Sequence, residues 1–188
     1  MQDLEHLQDR LREQRPVPWE QLPDFALYMD QVLSYMDRQV IRFDEGDTLT
    51  AAMVNNYTKS GLVPRAEGKK YNRDHLAYLT AICILKQVLS AKDIDLLIRE
   101  SIQGQNNVEQ GYLDFCTALD KVLNQTAEEV EGRTNESLAY DAIHFALISY
   151  AANVACSRYV SLLRQQKEAV EAEEKTAKSR GKKEKERD

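Results

Sequence analysis

Glycine and proline are scarce in this chain: 7 and 4 among 188 residues. A sandwich or barrel of many strands takes turn residues about every ten positions, so that supply excludes such folds. Cysteine is scarcer still. Cys83, Cys116 and Cys156 are odd in number and far apart, which fits neither a disulfide framework nor a zinc knuckle and suits a reducing compartment. No apolar run approaches the roughly 20 residues that cross a bilayer. The opening Met1-Gln2-Asp3-Leu4-Glu5-His6 is acidic and lacks the apolar stretch of a secretory leader, so a cytoplasmic location is expected, with no membrane partner. The catalytic signatures are missing as well: no G-x-S-x-G, no H-E-x-x-H, no phosphate loop and no C-x-x-C. No catalytic residue, metal site or cofactor is therefore expected, and the chain does not read as an enzyme.

Apolar residues make up 43% of the chain and charged residues 30%, the balance of helices with solvated outer faces. Leu4, Leu7 and Leu11 predict a first amphipathic helix, stopped by Pro16 and Pro18, with Trp19 and Leu22 clipped onto the core. Pro23-Asp24 would open a second helix carrying Phe25, Tyr28, Met29, Val32, Met36 and Val40, ending near Phe43 before the polar cluster Asp44–Asp47. Thr50 is a hydroxyl cap for a short helix over 51–59, Gly61 supplies its left-handed end, and Pro64 prevents continuation. A basic segment around Gly68 reads as a turn or small hairpin. Asn72 caps the next helix, and Ser90-Ala91-Lys92-Asp93 is a capping signature for the one after it. Beyond the polar run Gln103–Asn107 come a helix through Tyr112 and Leu123, a long one from near Asn135, and a charged tail expected to be disordered or frayed.

The net charge of -6 argues against indiscriminate nucleic-acid binding by the whole surface. Between Lys59 and Arg73, however, Lys59, Arg65, Lys69, Lys70 and Arg73 stand against Glu67 alone. The order short helix, Gly-containing basic turn, long helix, capped helix is that of a winged helix-turn-helix.

The residues Val54-Asn55-Asn56-Tyr57-Thr58-Lys59-Ser60-Gly61-Leu62-Val63-Pro64 resemble the end of the recognition helix and the exit turn of MerR-type regulators. Tyr71-Asn72-Arg73-Asp74-His75-Leu76 resembles the tyrosine and capped helix that follow the wing there. Over nearly the whole length before the tail, including Trp19–Asp30 and Cys83–Ser90, the chain is similar to a bacterial family catalogued as domain of unknown function 1836. The resemblance implies an all-α fold with a small β-wing: a MerR-like winged helix-turn-helix plus additional N- and C-terminal helices. The expected segments are an N-terminal helical part (1–44), the winged unit (45–102), a C-terminal helical unit (103–165) and a charged tail (166–188). Two departures count. MerR-type helices usually carry Arg before a Tyr pair, where this chain has Asn55 and Asn56, and that leaves more of the work to the wing. Sensor cysteines and the long dimerising coiled coil are missing too, so metal sensing is not implied.

The residues make the same case physically. A short exposed helix fits a major groove about 12 Å wide, where Asn55 and Asn56 can pair with adenine and Thr50, Tyr57 and Thr58 can reach phosphate oxygens. Lys59, Arg65, Lys69, Lys70 and Arg73 would neutralise the backbone. Five such contacts give a log–log salt slope of roughly -4 to -5. The expected function is a DNA-binding transcriptional regulator partnered by double-stranded DNA, and homodimeric because one short helix reads a half-site. A small-molecule effector is left open. The alternative is a protein-interaction adaptor that keeps the winged fold without touching DNA. His75 is expected to stabilise the first turn of its helix, the cysteines to be core side chains, and Tyr112, Phe115, Tyr140, Phe145, Tyr150 and Tyr159 to be core rather than a cofactor pocket.

Overall fold

The computed structural model describes residues 2–39, 48–103 and 107–185. The expectations for Val40, Phe43, the Asp44–Asp47 cluster, Gly104–Asn106 and Glu186–Asp188 lie outside these residues. Among the described residues seven α-helices follow in order: α1 (Gln2–Glu13), α2 (Met29–Met36), α3 (Ala51–Ser60), α4 (Arg73–Leu85), α5 (Ala91–Ile98), α6 (Val108–Val130) and α7 (Leu138–Lys185). Short 3-10 turns occupy Trp19–Gln21 and Asn135–Ser137, and α5 runs on into a π turn over Arg99–Gln103.

Local chemistry sets four of the helix starts and the end of α3. Thr50 accepts a hydrogen bond from the Met53 N–H, Asn72 from the His75 N–H, Ser90 from the Asp93 N–H and Asn107 from the Gln110 N–H. Each side chain satisfies one of the donors that a helix start leaves unpaired. Gly61 closes α3 at φ +79°, a left-handed conformation that an L side chain enters at a cost of about 1–2 kcal/mol. Its N–H reaches the Thr58 carbonyl, and Leu62 and Val63 both donate to the Tyr57 carbonyl.

The chain divides into two compact units, Met1–Leu138 and Ala139–Asp188. In the first, α4 is the spine: every residue from His75 to Cys83 is buried, which makes it a helix covered on all sides. One core joins Trp19, Leu22, Met36, Val54, Leu76, Leu79, Ile94 and Tyr112. Trp19 and Tyr112 lie with ring centroids 6.0 Å apart, and the Tyr112 hydroxyl donates to the Val17 carbonyl at 2.8 Å. The boundaries expected at 44/45 and 102/103 fall inside this unit, because that core draws on residues from both sides of each. α1 lies along α6, where Arg12 pairs with Glu131 at 2.9 Å and Arg15 with Asp120 at 2.6 Å.

Several expectations change. α2 begins at Met29 rather than at Pro23-Asp24, because the N–H and C=O of Leu27 are both taken by Tyr71 at 2.8 Å and so are withdrawn from a helical ladder. Phe25, expected on a core face, is exposed. The expected wing is a two-residue turn, since Glu67–Lys70 and Leu27–Tyr71 are isolated bridges and no strand forms among the described residues. In the second unit the helix expected to end near 165 continues through Lys185, a length of 48 residues. Tyr140, Tyr150 and Tyr159 on it are exposed, not core. Among the described residues no helix is long and apolar enough to cross a membrane.

The α3 exit turn gives a direct check on the fold. Replacing Gly61 by Ala forces a Cβ into the left-handed region and 3.3 Å from the Arg99 guanidinium. Urea unfolding is expected to show a loss of about 1–2 kcal/mol.

Candidate nucleic-acid interface

α3 turns Val54 into the core and leaves Ala52, Asn55, Asn56 and Lys59 exposed. Those four positions follow the helical period and share one face, so the short helix presents a polar stripe to solvent. Tyr57 is half-buried and packs against the core. The hydroxyls behave differently from one another. Thr58 donates to the Val54 carbonyl at 2.9 Å, which spends its proton within the helix. Thr50 accepts from Met53 at 3.3 Å as a cap, so its own O–H is still a donor to a neighbour.

The turn that follows is closed by two reciprocal backbone bonds between Glu67 and Lys70, at 3.1 and 3.0 Å. Gly68 has φ +56° and Lys69 φ +65°, the pair of left-handed residues that marks a type I′ turn. Gly68 enters that region freely. Lys69 does so at a cost of about 1 kcal/mol, and in exchange the turn carries an ammonium at its tip. Two contacts fix the root of the turn. Tyr71 is paired to Leu27, and His75, buried at the start of α4, reaches back toward Arg65. The Asn72 N–H lies 3.1 Å from His75 Nδ1, and His75 Nε2 lies 3.3 Å from the Arg65 carbonyl oxygen. His75 thus completes a capping box with Asn72 and ties the helix start to the basic segment.

Between α3 and this turn lies an open cleft of about 480 Å³, lined by Asn55, Thr58, Lys59, Arg65 and Lys69, with Met29 and Tyr71 among its apolar walls. Lys59, Arg65 and Lys69 are exposed and make no ion pair among the described residues. Lys70 lies beside them in sequence with its Nζ 5.2 Å from the centre of the Tyr28 ring. Four of the nine sequence-derived site residues, Asn55, Lys59, Arg65 and Lys69, therefore converge on one cleft. Thr50, Asn56, Tyr57 and Lys70 are not among its lining residues.

Arg73 is placed elsewhere. Its guanidinium donates to the Leu22 carbonyl at 3.0 Å and lies 5.5 Å from the centre of the Trp19 ring, while its Nε is buried. It clamps the Trp19 turn to α4 and leaves the cationic set. Met29 and Tyr28 join the neighbourhood without any signal in their own sequence context, because the Leu27–Tyr71 bridge brings the start of α2 beside the turn.

Chemically the cleft offers the Asn55 amide beside three cations that make no ion pair among the described residues, the equipment for holding a polyanion. Among the described residues no group of three or more His, Cys, Asp or Glu is arranged to hold a metal ion. Cys83 is fully buried, and burial pushes the half-buried Cys116 thiol up, away from the reactive thiolate.

No curated protein and no solved structure matches this chain. One family does, described as "Domain of unknown function (DUF1836)", over residues 17–116. That span opens at Val17, whose carbonyl holds Tyr112, and contains the cleft, the whole of α2 to α5 and the first part of α6. The match covers more than half of the chain and the core that organises the cleft, and the protein belongs to the DUF1836 family.

Proposed function

We propose that this protein is a cytoplasmic, non-enzymatic, DNA-binding transcriptional regulator, with α3 as the recognition helix of a MerR-like winged helix-turn-helix and the Glu67–Lys70 turn as a shortened wing. The observation that carries this reading is the cleft itself, where three cations without ion pairs among the described residues flank the exposed polar face of a short helix. At about 1.5 Å per residue, α3 is long enough to lie in a major groove, and Asn55 and Asn56 present the amides that pair with adenine edges. Lys59, Arg65, Lys69 and Lys70 would contact phosphates. The net charge of -6 is compatible with this, since the acidic residues lie outside the Lys59–Arg73 segment except for Glu67. The absence of an Arg on the α3 face favours the second reading, an adaptor whose cleft takes a protein partner.

One short helix reads a half-site, so the regulator would act as a homodimer. α7 supplies a surface for it. No Asp, Glu, Lys or Arg occurs between Asp141 and Arg158. Tyr140, Ile143, Leu147, Tyr150 and Val154 are spaced three, four, three and four residues apart and are all more than half exposed, Leu147 at 62% and Tyr150 at 69%. That is the spacing of a coiled-coil seam, contrary to the expectation that a dimerising coiled coil is missing from this chain, and its simplest partner is the same seam on a second copy.

Fluorescence anisotropy on a mixed-sequence duplex between about 50 and 200 mM salt tests the interface. With Arg73 spent in the core, four phosphate contacts predict a log–log slope of roughly -3 to -4. Lys69→Asn removes one charge but keeps a residue that tolerates the left-handed turn, so the slope should weaken by about 1 with the melting midpoint held or raised. Arg73→Ala should instead lower the midpoint. An affinity indifferent to salt would put the adaptor ahead.

Sedimentation equilibrium tests the seam. Leu147→Glu places like charges opposite one another in a dimer and is expected to give a monomer whose Met1–Leu138 unit still unfolds at the wild-type midpoint.

A further inference from the structure

The Leu27–Tyr71 bridge is antiparallel, so the residue after Leu27 faces the residue before Tyr71. Tyr28 and Lys70 therefore share the next rung, where opposed side chains stand about 5 Å apart. Leu27 and Tyr71 are each 5% exposed, and Tyr28 has extended backbone at φ -80° and ψ 164°. Alternation along an extended segment turns Tyr28 and Lys70 to the outer face. Tyr28 is 51% exposed, and the Lys70 ammonium stands over its ring with Nζ 5.2 Å from the centre. That is within reach of a cation–π contact, which restricts where the flexible lysine chain carries its charge.

Both groups keep their capacity to donate. The Tyr28 backbone N–H donates to Gln31 Oε1 at 2.9 Å, while its hydroxyl donates to no group among the described residues. Lys70 makes no ion pair among them. An ammonium held beside a phenol O–H suits an anion with two free oxygens, as a phosphodiester has. The place of the pair points to a strand of such anions. Lys69 lines the cleft on one flank of the turn, and Lys70 stands outside that lining. Phosphates follow one another about every 3.4 Å of helix axis along a strand, so cations on the two flanks of one turn can meet successive ones.

We propose that Tyr28 is a further DNA-contacting residue that grips one backbone phosphate jointly with Lys70. The phenol O–H donates to one phosphate oxygen, and the ring holds the ammonium against the other. The inference rests on the DNA reading and adds to it a contact from the segment before α2. Its consequence is a second phosphate held outside the cleft, next to the one that Lys69 reaches.

The test titrates the full chain with a mixed-sequence duplex, followed by anisotropy, for Tyr28→Phe, Lys70→Gln and the double variant. Tyr28→Phe keeps a ring under the ammonium. It is expected to weaken binding about tenfold, the loss of one hydrogen bond to a charged group, with the salt slope unchanged. Lys70→Gln should weaken the slope by about 1. Because both side chains grip one phosphate, the double variant should lose clearly less than the product of the two single losses. The melting midpoint of Tyr28→Phe is expected to stay at the wild-type value. Wild-type affinity in Tyr28→Phe, beside a wild-type slope of roughly -3 to -4, would overturn this inference and leave the DNA reading standing. So would strictly multiplicative losses, or a lowered midpoint, which would make the hydroxyl structural. A wild type that ignores DNA but binds polyglutamate in a Tyr28-dependent way would end the DNA reading and this inference with it.

Discussion

Leu27 and Tyr71 exchange both of their backbone hydrogen bonds at 2.8 Å, and the place of the basic turn beside the start of α2 follows from that pair. It stops α2 from starting earlier, holds the end of the basic turn against the segment before α2, and delivers Tyr71 to the edge of the His75 ring, 5.4 Å away. His75 then spends both ring nitrogens on backbone, one on its own helix cap and one on the Arg65 carbonyl. A turn of two residues has little stability by itself. Here it is anchored at one end by the buried Leu27–Tyr71 pair and at the other by the contact of His75 with the Arg65 carbonyl, which lets a strained Lys69 persist at its tip.

The distribution of ion pairs separates structural from available charge. Arg12, Arg15 and Arg99 each face a carboxylate within 2.9 Å, and Arg73 is turned onto Trp19. Exposed pairs of this kind contribute modestly, about 0–1 kcal/mol each, so their main consequence is to neutralise the surfaces on which they lie. Lys59, Arg65 and Lys69 are left as a local positive field on a protein of net charge -6. A field so placed matters for encounter with a polyanion far more than for folding.

α4 connects the two ends of the first unit. Its start is tied to the basic turn through Asn72 and His75, its middle is buried on every side, and Ile84 in its last turn lines a hollow shared with Pro16, Leu119 and Leu123. The family match from Val17 to Cys116 contains this helix whole, together with Trp19 and Tyr112. α7 differs in kind, because Tyr140, Ile143, Leu147, Tyr150 and Val154 on it are more than half exposed. A helix apolar on an open face is complete only in company.

How much could be read beforehand depended on the range of the forces involved. Thr50, Gly61, Asn72 and Ser90 mark their helix ends in the sequence because capping is settled within four residues, and the mostly helical character follows from the period of the apolar positions. The basic segment was legible as composition, and so was the short polar helix before it. The tertiary structure alone decided that Arg73 serves the core while Lys59, Arg65 and Lys69 share a cleft, that α2 begins at Met29, and that Tyr140 and Tyr150 are uncovered. Each of these depends on a partner tens of residues away, or on the lack of one. A charge or a ring looks the same in sequence whether or not the fold brings that partner within reach.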